Sequence, residues 1–309
     1  MKIRVIGDLH GRDWWKRKVE TGDSDLNIFL GDYVDSYTVS DKQIINNLLD
    51  IIEFKKSYED KVILLLGNHE YNYISPYIGY CSGYRYSISN KLQGIYRNNL
   101  HLFKLNHNIK IYNPETEKVE RTYWFSHAGI TSKWLSFYGQ IFNNIENEKD
   151  IASNHLYYPN LCEKINLSID SYRYLSQVMS ISMCRGGSNF YGGPLWSDML
   201  ESKRDFLKYD PEIPLYDAPV IQYVGHTTVN PEEQIRDYKT ASRTKTTLLN
   251  KHSTVKENLI IGGIFTPSIL DNRDSLSYEC YIVYTELQKE VDDAFKKAIE
   301  RITNIISEI

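Results

Sequence analysis

Short apolar runs, each stopped by a glycine, set the rhythm of the first seventy residues. Ile3-Arg4-Val5-Ile6 runs into Gly7-Asp8-Leu9-His10-Gly11, Leu26 to Leu30 into Gly31-Asp32-Tyr33-Val34-Asp35-Ser36, and Val62 to Leu66 into Gly67-Asn68-His69-Glu70. Runs of this length with turn residues behind them predict buried strands over residues 2–7, 26–31 and 61–66. Between the second and third, Ile44, Ile45, Leu48, Leu49, Ile51 and Ile52 recur at helical spacing, and Ser40 is placed to cap a helix reaching about Lys56. Strand, helix, strand, helix, strand at this spacing predicts a parallel α/β core with right-handed crossovers.

Beyond His69 the pattern loosens. Residues 71–86 are rich in Tyr, Gly and Ser, and residues 87–106 read as a helix, so 71–106 is expected to form a lid-like insertion. Ile109–Tyr112 and Val119–Phe125 predict a hairpin around Asn113-Pro114. Residues 131–183 read as a helical insertion. A glycine-rich loop follows, Arg185-Gly186-Gly187 and then Gly192-Gly193-Pro194-Leu195-Trp196, where backbone must approach something closely. Val220 to Val224 predicts a strand leading to His226, residues 231–257 read as polar loops, and residues 259–265 and 278–284 read as the last strands. Leu287, Val291, Ala294, Ala298, Ile302, Ile305 and Ile309 form one stripe on a helix over 286–309. That stripe suits packing on the sheet or a homodimer seam, so the chain is expected to be a monomer or a homodimer through this helix. No break separates these segments, so residues 1–309 are expected to form a single domain.

Composition narrows the field. An apolar fraction of 41% and a charged fraction of 25% are those of a globular protein that can bury a core. The net charge of −4, with no long basic run, argues against an extended nucleic-acid or membrane surface. No apolar run approaches the length of a membrane span, and no apolar signal core opens the chain, so a soluble, cytoplasmic protein is expected. Cys81, Cys162, Cys184 and Cys280 are scattered without a C-x-x-C pair, which favours reduced, mostly buried thiols.

The candidate chemistry sits at the strand ends. Asp8, Asp32 and Asn68 follow glycines, with His10 and His69 close behind, and His127 and His226 stand at the ends of two later strands. Oxygen ligands mixed with imidazoles suit divalent ions such as Mn²⁺, Fe²⁺ or Zn²⁺. The segments GDLHG, GDYVD, GNHE, HAG and GHT, in that order, resemble the calcineurin-like metallophosphoesterases. Within them the chain is most similar to the phosphoprotein phosphatase branch, which includes the Shewanella-like and lambda phosphatases and the diadenosine tetraphosphate hydrolases. The resemblance spans residues 7–227. It implies an αββα sandwich, two mixed sheets flanked by helices.

The same resemblance implies roles residue by residue. Asp8 and His10 would bind a first divalent metal, Asp32 would bridge, and Asn68, His127 and His226 would bind a second, with Mn²⁺ the first expectation and Fe²⁺ or Zn²⁺ the others. A metal-bridging hydroxide would attack phosphorus. His69 would be the general acid oriented by Asp35, the alternative being a purely structural pair, and Glu70 would support a ligand or the backbone. The family usually continues its second motif as Asp-Arg-Gly, and that arginine grips phosphate. Here Asp35-Ser36-Tyr37 stands instead, and serine cannot make the bidentate contact. Arg185 and Arg85 resemble substitutes for phosphate binding, with Asn68 beside them, or else are surface arginines stacked on tyrosine. The implied function is hydrolysis of phosphate monoesters, on a phosphorylated protein or a small phosphate ester, in the manner of serine/threonine protein phosphatases. Two others stay open: a nucleotide hydrolase for dinucleoside polyphosphates, cyclic nucleotides or RNA ends, with the aromatic residues between Tyr71 and Tyr86 stacking a base, and a non-catalytic binding module.

Overall fold

The computed structural model describes residues 3–20, 22, 24–75, 81–112, 115–117, 119–143, 161–170, 172–197, 220–226, 259–261 and 280–281. The expected loops at 231–257 and helix at 286–309 lie outside them, as do residues 76–80. Strands β1 (Ile3–Ile6), β2 (Leu26–Phe29), β3 (Val62–Leu65) and β4 (Phe103–Lys104) pair in parallel, and β9 (Cys280–Tyr281) adds antiparallel to β1, giving the order β4-β3-β2-β1-β9. The second sheet has the order β5 (Asn106–Tyr112), β6 (Val119–Ser126), β7 (Val220–Val224), β8 (Leu259–Ile261). Its β5–β6 hairpin is antiparallel and the remaining pairs are parallel. Two mixed sheets flanked by helices are the architecture expected from the sequence.

Side chains alternate across each strand, and the alternation builds two cores. Ile3 and Val5 of β1, Ile28 and Leu30 at β2 and Leu65 of β3 pack with Tyr123 and Phe125 of β6 and Tyr223 of β7, so this cluster fills the space between the sheets. Ile6, Phe29, Val62 and Leu64 point the other way, onto helix α2 (Asp41–Ser57) through Ile44, Leu48, Ile51 and Ile52. The Ser40 hydroxyl accepts from the Gln43 amide at 3.3 Å, which caps that helix at the expected residue. Leu49, expected on the buried face, is instead exposed. Trp15 on the short helix α1 (Trp15–Val19) packs on Phe29, and its indole N–H donates to Asn47 of α2 at 2.8 Å.

The helix expected over 87–106 is shorter. It forms as α4 (Ser89–Asn99), passes through a 3₁₀ turn at Leu100–Leu102, and gives way to β4. Phe103 pairs with Leu64 and stacks edge-on against Tyr33 and Tyr96, and this tertiary pairing overrides the local helical pattern. Helix α3 (Asn68–Ile74) springs directly from the end of β3. Within the segment 131–183 the described residues form α5 (Ser132–Asn143), α6 (Leu161–Leu167), a 3₁₀ turn at Ser168–Asp170 and α7 (Tyr172–Val178), with short connecting stretches. Cys81 and Cys162 are buried and Cys184 is exposed, and none of the three is in a disulfide, in keeping with mostly buried, reduced thiols.

Candidate metal centre

Three loops at the carboxyl ends of β1, β2 and β3 are stitched together by backbone before any ligand is considered. The Leu9 and His10 amides both donate to the Asp32 carbonyl, at 2.9 and 2.8 Å, and the Gly11 amide donates to the Tyr33 carbonyl. Glycine is required where β2 and β3 end: a Cβ on Gly31 would lie 2.4 Å from the Gly67 nitrogen, and one on Gly67 would lie 2.2 Å from Asp32 Oδ1. Glu70 closes the arrangement. Its Oε2 accepts from the amides of Asp32 and Gly67 at 2.7 Å each, and its Oε1 accepts from Tyr33 at 2.8 Å and Val34 at 3.4 Å. Burial and nearby Asp32 push the Glu70 carboxyl up to about 7. The geometry nonetheless favours the anion, because a proton on either oxygen would face an N–H donor.

Backbone strain concentrates at the same place. His10, Asp32, Asp35 and His226 hold φ values of 46°, 54°, 62° and 67°, a region that non-glycine residues rarely occupy. Such strain persists where surrounding contacts over-determine it, and that is common at functional sites.

Asp32 is the centre. Its Oδ1 accepts from the His69 amide at 3.2 Å, which leaves Oδ2 facing three imidazoles. The nitrogens Nε2 of His127, His10 and His69 stand 3.4, 3.8 and 3.9 Å from it. Among the described residues two groups result, His10–Asp32–His69 and Asp32–His127–His226, each with ligand atoms within 4.8 Å of one another. The imidazoles of His10, His69 and His127 are each aimed by the opposite ring nitrogen, as metal-binding histidines are. His10 Nδ1 donates to the carbonyls of Val34 and Asp35 at 3.0 Å each. His127 Nδ1 donates to the Leu30 carbonyl at 2.9 Å, across the gap between the sheets.

These bonds decide what the site can hold. With its Nδ1 proton on Leu30, His127 turns Nε2 towards Asn68 Oδ1 at 2.8 Å, His226 Nδ1 at 3.2 Å and Asp32 Oδ2. Asn68 presents its oxygen here because its amide nitrogen donates to the Cys81 thiol at 3.1 Å. The four atoms are acceptors or nitrogens that can be lone pairs, and they converge in a buried space. Protons relieve that crowding only in part, whereas a cation suits all four. His226 Nε2 is also buried with no hydrogen-bond partner among the described residues.

Without an ion, protons compete for the same positions. Burial opposes ionisation of Asp32, but His127, His69 and His10 outweigh it and hold that carboxyl well below its ordinary value. Burial likewise opposes protonation of His127 and His69, but carboxylates led by Asp32 lift each to about 9. Burial, reinforced by the charges of His127 and Arg185, pushes His226 down, which favours its neutral ligand form. Asp8 lies against the second group: its carboxylate accepts from the His226 amide at 3.1 and 3.2 Å, and Oδ1 is 3.8 Å from His127 Nδ1. Burial, only partly offset by His127, raises its pKa.

The residues expected to serve the phosphate are more scattered. His69 Nδ1 donates to Asp35 Oδ2 at 2.8 Å, and both side chains are buried. The Arg85 guanidinium donates to the Val39 carbonyl at 2.7 Å and stands 3.5 Å from the Asp41 carboxylate. Arg185 lies on a 3₁₀ turn (Met183–Arg185) close enough to depress the His226 pKa. Ser36, where the family has arginine, accepts from the amides of Thr38 and Val39 at 3.2 Å each. The glycine-rich loop approaches its own neighbours: a Cβ on Gly187 would meet the Ile181 carbonyl oxygen at 2.2 Å, and one on Gly193 would meet that of Val178 at 2.2 Å. The Ala128 amide donates to the Pro194 carbonyl at 2.7 Å, tying this loop to the His127 turn. Three residues of the site escaped the sequence. Trp196 packs edge-on against His226 with ring centres 5.6 Å apart, Cys81 orients Asn68, and Tyr73 donates to Asp35. Only Tyr73 carries a signal, since it follows His69 by four residues on one helix face.

Carboxylates and imidazoles gathered at strand ends around a shared aspartate define a centre for divalent cations. The chain matches the calcineurin-like phosphoesterase family over residues 1–229, and it belongs to that family. The family uses a dinuclear divalent metal centre, and its members are metal-dependent phosphoester hydrolases.

Proposed function

We propose that the protein hydrolyses phosphate monoesters, in the manner of the phosphoprotein phosphatase branch, on a phosphorylated protein or a small phosphate ester. The observation that carries this reading is the buried Asp35–His69 pair, with His69 Nε2 turned to the Asp32 side of the centre. A monoester with a poor leaving group needs a proton donor, and a histidine that burial discourages but carboxylates lift to about 9 holds a proton at neutral pH. Asp32 would be shared between two ions, His10 and Asp8 would serve the first, and Asn68, His127 and His226 the second. Bound there, the ions supply Lewis-acid polarisation of the phosphoryl oxygens and an activated water nucleophile. We take Mn²⁺ as the first candidate, with Fe²⁺ and Zn²⁺ the alternatives.

His69 would give its proton to the departing oxygen while Asp35 holds the opposite ring nitrogen. Arg185 would steady the substrate's phosphate, supported by its electrostatic reach to His226. A phosphate contact by Arg85 would require it to exchange Val39 and Asp41 for the substrate. The nitrogen of Asn68 is engaged by Cys81, so its contribution to phosphate would come through its oxygen and a shared ion. A nucleotide hydrolase would need the aromatics at 71–86 to stack a base. Tyr71 and Tyr73 are buried, and Tyr73 stacks on Tyr84 with ring centres 4.7 Å apart, which supports a packed lid instead. A cytoplasmic location belongs to the same reading, supported by the thiols of Cys81, Cys162 and Cys184, none of which is in a disulfide.

The test is a substrate panel with Mn²⁺-loaded protein: a phosphopeptide, p-nitrophenyl phosphate, bis-p-nitrophenyl phosphate and a dinucleoside tetraphosphate. Monoester turnover that disappears in His69→Asn for the phosphopeptide supports the reading. Turnover confined to diesters or polyphosphates refutes it in favour of the nucleotide hydrolase.

A further inference from the structure

Tyr73 lies one helical turn beyond His69 on α3, and its side chain is 2% exposed. Its hydroxyl touches two groups. The Arg85 amide donates to its oxygen at 3.0 Å, so the hydroxyl proton cannot point there. The proton goes to Asp35 Oδ1, while Asp35 Oδ2 receives the His69 Nδ1 proton at 2.8 Å. The ring is held as firmly as the hydroxyl. Tyr84 stacks on it at 4.7 Å with the planes 11° apart, Tyr96 lies on it at 6.5 Å and 23°, and Tyr86 meets Tyr84 edge-on at 4.7 Å.

We propose that Tyr73 is a positioning residue for the acid: its hydroxyl fixes the Asp35 carboxylate, and through it the rotation of the His69 ring. This rests on the phosphoesterase reading with His69 as proton donor. A carboxylate held by one imidazole alone can turn about its last bond and carry the ring with it. Two donors on its two oxygens remove that freedom. The remote nitrogen of His69 is then held at one place beside Asp32, and placement errors of about 1 Å at such a group are costly in rate. The Arg85 amide extends the chain to residues 81–88, so the seating of that segment and the aim of His69 are coupled through one hydroxyl. The function of Arg85 in this scheme is through its backbone.

Kinetics on metal-loaded Tyr73→Phe test the proposal, because phenylalanine keeps the stacked ring and deletes only the hydroxyl. Aryl phosphate monoesters and the matching diesters, graded by leaving-group basicity, are turned over by wild type, Tyr73→Phe, Asp35→Asn and the double variant. With dinitrophenyl leaving groups, which need no proton, Tyr73→Phe stays within about twofold of wild type, while with the most basic leaving group kcat falls about tenfold or more at unchanged KM. Adding Tyr73→Phe to Asp35→Asn costs little further, as expected for two residues acting through one path. A uniform loss across the series, no loss at all, or full additivity overturns the proposal and leaves Tyr73 a packing residue. If the wild type turns over neither series, the functional reading fails. The ring ¹⁵N–¹H signals of His69 in the zinc-loaded protein then decide the structural claim. A narrow Nδ1–H resonance that broadens in Tyr73→Phe upholds it, and an unchanged spectrum rejects it.

Discussion

Glu70 shows how much of this centre depends on groups that touch no substrate. One buried carboxylate serves four amides from two loops, and those loops carry Asp32, Asn68 and His69. Replacing it with glutamine sets an NH₂ against backbone donors, and Glu70→Gln should cost about 2–3 kcal/mol in denaturant unfolding. A loss under about 0.5 kcal/mol would mean the loops are held by other contacts. The two raised histidines give a pH signature. His69 and His127 titrate near 9 when folded, against 6.5 for the free side chain, with burial opposing and Asp32 leading the rise. Their protonation contributes stability that is fully present below 6.5 and lost as pH rises through about 9. Metal-stripped protein should therefore melt at progressively lower temperature between pH 6.5 and 9.5. Divalent-ion affinity should rise over the same window, because the His127 proton competes with the ion. A flat melting profile would count against the pairing with Asp32.

At the scale of elements, the strand-to-loop junctions were legible because their pattern is local. An apolar run, a glycine and a carboxylate mark β1 and β2, and Ser40 marks α2, without reference to anything distant. What the glycines were for was less legible: Gly31 and Gly67 let two chain segments touch, and only the folded geometry reveals that a Cβ at residue 67 would sit 2.6 Å from the Asp32 nitrogen. Gly67→Ala should push the two loops apart and weaken ion binding by about 10–100-fold, the scale seen when ligand support is disturbed, as read by calorimetric titration. Helix α4 is shorter than its local pattern predicts because its end is decided by Phe103 joining β3, a contact that no window of sequence contains. Trp196 and Cys81 were invisible for the same reason, since their partners His226 and Asn68 lie 30 and 13 residues away in sequence.

On the scale of the whole molecule, the two sheets meet over Ile3, Val5, Ile28, Leu30, Leu65, Tyr123, Phe125 and Tyr223, and the centre forms where their loops converge above that layer. His127 binds the Leu30 carbonyl across the gap, and the Gly225 amide donates to the His127 carbonyl at 2.7 Å, so ligands from both sheets are placed by one packing arrangement. Among the described residues, no helix is long and apolar enough to cross a membrane. Asp32 is where the contributions meet, and it is the most direct test. Metal content and p-nitrophenyl phosphate turnover should be measured on the same samples of wild type and Asp32→Asn after loading with Mn²⁺. Two ions per wild-type chain with monoester turnover, and loss of at least one ion together with turnover in the variant, is the predicted result. Full metal content and undiminished turnover in Asp32→Asn, or a wild type that holds two ions and leaves the monoester untouched, would contradict it.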